Sequence, residues 1–145
     1  MEQSIEKNLQ KYGIEFIRTN DNLMPHKKYF YAMQTFPDDI VITVDDDCMY
    51  SKNLVKMLYK THKNHPDCIA AVRVHKMTYG KGKNLYSYNN WINNYTFRRK
   101  PSYTLMATGV GGVLYPPGSI PQMLLQCNQQ LPVQDPLSTA HTLHE

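Results

Sequence analysis

Three consecutive carboxylates, Asp45, Asp46 and Asp47, are the residues of this sequence with the clearest capacity for chemistry. Adjacent carboxylates repel one another, so such a cluster needs a cation or hydrogen-bond donors to compensate its charge. Because side chains alternate along an extended chain, we expect Asp45 and Asp47 to face one ligand together and Asp46 to point the other way. All-oxygen ligands favour a hard cation such as Mg²⁺ or Mn²⁺, which in turn bridges phosphates. A solvated turn or a helix-capping cluster is the alternative interpretation.

The elements that would position these acids alternate between helix and strand. The β-branched apolar run 40–44 is too short for a helix and predicts a strand that is buried on both faces. The apolar spacing predicts helices over about 4–12, 27–36 and 52–64, and further strands over 14–18 and 68–74. Strand, helix and strand at this spacing form a βαβ unit, so we predict an α/β layered domain with a mainly parallel sheet. Such sheets bind ligands beyond the carboxyl ends of their strands, where the three aspartates stand.

Length and composition limit the class of protein. With 145 residues, 41% of them hydrophobic and 19% charged, the chain can bury one sizeable core and is neither disordered nor fibrous. No apolar run is long enough to span a membrane, and the N-terminus lacks the apolar segment of a signal peptide. Three widely spaced cysteines are not a disulfide framework. We therefore expect a cytoplasmic protein with at most peripheral membrane contact.

Charge is distributed unevenly along the chain. The net charge is +4, and all 16 basic residues lie before residue 119, after which Asp135 and Glu145 are the only charged side chains. The last stretch is rich in Gln and Pro. We therefore predict a folded domain over 1–118 and a divergent, loosely ordered tail over 119–145. A basic domain suits phosphate-bearing ligands, although solvated lysines produce the same charge.

Two other groups of residues have a conceivable function. The glycine-rich segment 109–112 lacks the spacing of a dinucleotide fingerprint and the Lys-Ser/Thr pair of a phosphate-binding loop, which argues against a dehydrogenase and an ATPase. Tyr86, Tyr88 and Trp91 could stack on a sugar ring, but aromatic residues at this spacing more often fill a core.

Two segments of the chain resemble a known family. Residues 25–50 (PHKKYFYAMQTFPDDIVITVDDDCMY) and 109–119 (GVGGVLYPPGS) are similar to bacterial glycosyltransferases of the GT-A fold, of the family-2-like kind involved in surface polysaccharide synthesis. The resemblance covers most of residues 14–118. It implies an incomplete GT-A domain that transfers a sugar from a nucleotide-diphosphate donor to a saccharide or lipid-linked acceptor, with Mn²⁺ or Mg²⁺ as the cofactor.

The resemblance also implies roles for the three acids. In the family, the apolar strand that ends in Asp-x-Asp holds the nucleotide sugar. Carried over by position, Asp45 would contact the ribose or the metal, and Asp47 would coordinate the divalent ion on the diphosphate. Asp46 would lie behind these groups or contact the nucleotide.

Basic and small residues complete the site that the resemblance implies. Lys28, in preference to its neighbour Lys27, matches a basic residue that lies near the nucleotide. Gly111 and Gly112 resemble a small-residue turn that lets the backbone approach the donor sugar and the acceptor.

The resemblance is incomplete at both ends. A family member would begin with a further strand and helix, and would continue after the glycine turn with an acidic segment that supplies a general base. Asp135 alone does not match that segment, so we expect a truncated or frame-disrupted product with little turnover. The alternative is a non-catalytic phosphate- or nucleic-acid-binding module. Because an acidic cluster repels a polyanion, we expect no nucleic-acid partner.

Overall fold

The computed structural model describes residues 2–19, 23, 26–95 and 100–120. Its elements in chain order are the helices and strands α1 (Glu2–Gln10), α2 (Lys27–Thr35), β1 (Val41–Thr43), α3 (Leu54–Asn64), β2 (Ala70–Ala71), β3 (Val74–Lys76), β4 (Leu105–Ala107) and β5 (Val113–Tyr115). Two short 3₁₀ turns, Lys81–Lys83 and Tyr88–Asn90, lie between β3 and β4. No helix in the described part of the chain is long and apolar enough to cross a membrane.

The main sheet has the order β1-β5-β2, and its central strand is antiparallel to both neighbours. Leu114 of β5 lies opposite Ile42 of β1 on one side and Ala70 of β2 on the other. Since β1 and β2 both oppose β5, they run in the same direction, as the βαβ unit requires. The prediction of a mainly parallel sheet is nevertheless wrong, because the late strand β5 returns between β1 and β2 and supplies all of their described pairing.

Helices cover both faces of this sheet. On one face, Phe30 and Met33 of α2 pack against Val41 of β1. On the other face, α3 packs against the sheet through a second cluster, which consists of Leu54, Leu58, Ala70 and Leu114. Ile42, the next residue after Val41, packs against this second cluster. Strand β1 is therefore covered on both faces, as its β-branched sequence predicts.

Besides β1, the three predicted helices agree with the structure, and two predicted strands differ from it. Helices α1, α2 and α3 lie where the apolar spacing places them. Residues 14–18 form no paired strand with any described residue, and Ile14, Phe16 and Ile17 are all at least 40% exposed. The predicted strand 68–74 is two short strands, β2 and β3, that belong to different sheets. A strand needs a partner, and the apolar content of 14–18 does not supply one.

A second, two-stranded sheet pairs β3 with β4 in antiparallel fashion. His75 at its centre is 3% exposed and lies opposite Met106. The ring of Tyr88 lies beside His75, with a centroid separation of 5.6 Å, and the ring of Trp91 lies 5.2 Å from that of Tyr88. Tyr86 and Tyr88 are nevertheless 48% and 37% exposed, so the prediction that these aromatic residues fill a core is not confirmed.

Removing the side chain of Leu114 tests the central position of β5. Leu114 is 0% exposed, so Leu114→Ala should lower the free energy of unfolding by about 2–5 kcal/mol through lost burial and a new cavity. Val44→Ala is the matched control, because Val44 follows β1 and is 49% exposed, and it should cost far less. Urea unfolding followed by circular dichroism measures both. Equal losses would contradict the central placement of β5.

Candidate active site

The register of the main sheet brings three loops to one edge. Val113, the first residue of β5, pairs with the last residue of β1 and with the last residue of β2. Beyond that point the chain continues from β1 into the three aspartates and from β2 into Arg73, while Gly111 and Gly112 lead into β5 between them. One residue beyond the pair of β2 with Val113, the Val72 N–H donates to the Gly112 carbonyl at 3.1 Å. Residues that are distant in sequence therefore meet at one end of the sheet.

Asp45 is the most constrained of the three acids. Its side chain is 9% exposed, and its Oδ1 forms an ion pair with Nζ of Lys28. The hydroxyl of Tyr50 donates to Oδ2 of Asp45 at 3.1 Å and accepts the backbone N–H of Asp45 at 2.7 Å. Lys28 lies in the first turn of α2, so the packing of this helix places the Lys28 ammonium next to the Asp45 carboxylate. The structure therefore brings Lys28 and Asp45 together, and Lys28 and Tyr50 compensate the charge of Asp45.

Tyr50 is the site residue that the sequence did not reveal. Partial burial raises the pKa of its hydroxyl, and a hydrogen bond to Cys48 and the negative charge of Asp47 add to that rise. The thiol of Cys48 lies 3.5 Å from Oδ1 of Asp47 and donates to it. Tyr50 therefore stays protonated as a donor, and the loop 45–50 is closed on itself. The available signal was chemical, since three adjacent carboxylates require donors and Tyr50 is the O–H group five residues from the first of them.

Asp46 and Asp47 lie in an exposed turn rather than in an extended segment. Because β1 ends at Thr43, the expectation that Asp45 and Asp47 share one face of a continuing strand does not hold. The carboxylates of Asp45 and Asp47 have different environments instead. Protein groups hold the carboxylate of Asp45, whereas that of Asp47 is accessible to solvent. Within the described ranges, no group of three or more His, Cys, Asp or Glu side chains is arranged to hold a metal ion.

Gly111 and Gly112 both have a backbone conformation that favours glycine, with φ of +90° and +100°. A Cβ on Gly112 would lie 3.0 Å from a methyl carbon of Leu54, at the start of α3. A Cβ on Gly111 would meet the side chain of Arg73 at 3.7 Å. Gly112 therefore has a packing role, since it lets β5 approach α3. The approach of a ligand to these glycines stays a prediction.

Glycosyl transferase family 2 is the description of the family model that matches residues 2–115. The chain belongs to this family. The match confirms the resemblance, includes the acidic loop and the glycine turn, and ends at the last residue of β5. Membership supports glycosyl transfer from a nucleotide sugar and implies the GT-A fold, so the predicted α/β layering is right although the sheet is not mainly parallel. No curated protein and no solved structure matches the chain.

The remaining parts of the predicted site lie elsewhere. Asp135, in the predicted tail, lies outside the described residues, as does the tail beyond residue 120. Tyr86 contributes its carbonyl, which accepts the indole N–H of Trp91 at 2.8 Å. Among the described residues, the acidic loop, Lys28 and the glycine turn are therefore the predicted site groups that meet at one edge.

Removing one hydroxyl tests the closed acidic loop. Tyr50→Phe should lower the free energy of unfolding by about 1–3 kcal/mol, because the Asp45 N–H and one carboxylate oxygen both lose their partner. Tyr59→Phe is the control, since Tyr59 lies on α3 with 46% of its surface exposed. Thermal and urea unfolding compare the two variants. A Tyr50→Phe protein as stable as Tyr59→Phe would show that the loop does not depend on this hydroxyl.

Two glycines separate backbone strain from close packing. Gly109 and Gly112 both have positive φ, but a Cβ meets a neighbour within 4 Å only at Gly112. Gly109→Ala should therefore incur backbone strain alone, whereas Gly112→Ala should cost about 1–3 kcal/mol more because it also overpacks Leu54. The free energies of unfolding in urea give the comparison. Equal losses would contradict the packing role of Gly112.

Proposed function

We propose that this chain transfers a sugar from a nucleotide-diphosphate donor to a saccharide or lipid-linked acceptor in surface polysaccharide synthesis, with a divalent cation bound at the acidic turn. The observation that carries the proposal is the meeting of the acidic loop, Lys28 and the glycine turn at one edge of a family-2 glycosyltransferase domain. Ligands of α/β sheets bind at such an edge.

The donor set of the acidic turn fits Mn²⁺ or Mg²⁺. Mg²⁺ is usually held by one or two carboxylates together with substrate phosphates and water, so a site with fewer than three protein ligands is chemically sufficient. Asp47 is exposed and offers its carboxylate directly. Asp45 uses one acceptor position on each oxygen for Lys28 and Tyr50, which leaves further lone pairs for the metal or for a ribose hydroxyl.

Each residue then has a distinct task in the proposal. A divalent cation at Asp45 and Asp47 would neutralise the charge that develops on the leaving diphosphate. Asp45 orients the loop through Tyr50, and Lys28 offers a positive charge next to the nucleotide. Asp46 lies beside these groups and contacts the nucleotide. Gly111 presents backbone without a side chain to the donor sugar.

The same charges disfavour a nucleic-acid module. The exposed acids at the edge repel a polyanion unless a metal intervenes. A small metal-bound diphosphate is the ligand that these charges accommodate.

Calorimetric titration of a nucleoside diphosphate tests the proposal. UDP and GDP should bind more tightly with Mn²⁺ than without it, and Asp47→Asn should weaken the Mn²⁺-dependent binding about 10- to 100-fold, as expected for a lost charged contact. Asp38→Asn is the matched control, because Asp38 is an exposed acid that precedes β1 at the other end of the strand. It should bind as the unchanged protein does.

Two outcomes would count against this function. Equal nucleotide affinity in Asp47→Asn and Asp38→Asn would remove Asp47 from the metal site. No Mn²⁺-dependent binding of any nucleoside diphosphate, together with no nucleoside diphosphate released from a panel of nucleotide sugars, would overturn the proposed activity itself.

A further inference from the structure

Arg73 occupies the break between the two sheets. It lies between β2 and β3, and its carbonyl accepts the N–H of Thr108 at 3.3 Å. This hydrogen bond and the two flanking strands fix the backbone of Arg73. Its Cβ is 3.7 Å from the position that a Cβ of Gly111 would occupy. Arg73 therefore stands at the same edge as the acidic loop, on the other side of the glycine turn.

The guanidinium of Arg73 is held by a neutral partner. Its Nε–H donates to Oδ1 of Asn94 at 2.7 Å, across 21 residues of sequence. Neither of the ion pairs found in the described residues involves Arg73, which is exposed. In the described part of the chain, the two terminal nitrogens of the guanidinium therefore retain their charge and their paired N–H donors. This fork matches the oxygens of a phosphate.

Asn94 is locked in an unusual conformation that aims its side chain. Its φ is +50°, a value that residues other than glycine rarely adopt, although Asn tolerates it best. The Asn94 N–H donates to Nδ1 of His75 at 3.1 Å, and the next N–H, that of Tyr95, donates to the carbonyl of Val74 at 2.9 Å.

The buried ring of His75 anchors this conformation. Because a backbone N–H can only donate, Nδ1 of His75 accepts, and the ring carries its proton on Nε2. His75 is 3% exposed, so an unpaired Nδ1 could not turn to water. A buried ring thus fixes a strained asparagine, and the asparagine fixes an exposed arginine. Strained residues that are held by their surroundings cluster at functional sites.

We infer that Arg73 is a phosphate-binding residue of this site and that Asn94 is its positioning residue. The inference rests on the proposed function, because the phosphate is that of the donor diphosphate or that of a phosphate-linked acceptor. The acidic turn takes the cation, and the guanidinium binds phosphate oxygens across the glycine turn. A glycine between them leaves no side chain in the way of the ligand.

Pyrophosphate is the probe, since it carries the diphosphate without a base or a sugar. With Mg²⁺ present, Arg73→Ala should weaken its binding in calorimetry about 10- to 100-fold, because a charged pair of hydrogen bonds is lost. Arg73→Lys should restore only part of the affinity, since an ammonium lacks the fork. Arg18→Ala is the matched control, because Arg18 is an exposed arginine paired with Glu6, and it should leave binding unchanged.

A double-mutant cycle tests the role of Asn94. Asn94→Gly removes Oδ1 while accommodating the positive φ, so it should bind pyrophosphate several-fold more weakly without a lower melting temperature. The double variant Arg73→Ala with Asn94→Gly should bind no more weakly than Arg73→Ala alone, since Asn94 acts through Arg73. Losses that multiply in the double variant would refute the positioning role.

Competition identifies the source of the phosphate. If saturating UDP or GDP abolishes the Arg73-dependent binding of pyrophosphate, the ligand is the donor diphosphate. If decyl phosphate still binds in an Arg73-dependent manner under that saturation, the ligand is an acceptor phosphate. Unchanged pyrophosphate binding in Arg73→Ala overturns the inference and leaves the proposed function standing. If the unchanged protein binds neither pyrophosphate nor a nucleoside diphosphate, the proposed function itself fails.

Discussion

The insertion of β5 between β1 and β2 is the constraint on which the rest of the structure depends. The neighbouring strands have only two or three residues each, and within the described chain they pair with β5 and not with each other. Val113 and Leu114 are fully buried, so the register is specified on both faces. A slip of one residue would turn Leu114 from the α3 layer to the α2 layer and move Gly112 away from Leu54. The same register decides which loops share the edge of the sheet.

The parts of the fold that the sequence predicts are those with local causes. The β-branched run 40–44 contains β1, and the apolar spacing locates all three described helices, because periodicity and side-chain shape act within a few residues. The relative direction of the strands in the sheet has no local cause. The run Val113–Tyr115 stands between glycines and prolines and says nothing of its partners. Residues 14–18 have similar apolar content, yet they pair with no described strand.

The candidate site divides in the same way. The acidic cluster can be predicted from the sequence because three adjacent carboxylates require compensation. Lys28 was predicted as a site residue from the family resemblance. The contact between Lys28 and Asp45 is present in the structure, although the ligands of these residues stay proposals. Tyr50 and the pair of Arg73 with Asn94 were not predicted. The contact of Tyr50 depends on the conformation of the loop 45–50, and that of Arg73 depends on a positive φ at Asn94. Neither conformation can be predicted from the spacing of residue types.

The distribution of charge along the edge explains why a neutral residue holds Arg73. Lys28 compensates Asp45, the least exposed of the three acids, where an unpaired carboxylate would be most costly. Had Arg73 paired with Asp46 or Asp47 instead, less uncompensated charge of either sign would remain for a ligand. An amide oxygen orients the guanidinium without cancelling its charge. The edge therefore keeps a negative side and a positive side, separated by a turn that has no side chains. A cation bound to a diphosphate carries both signs of charge in that order, and this complementarity is the physical basis of the ligand proposed for the edge.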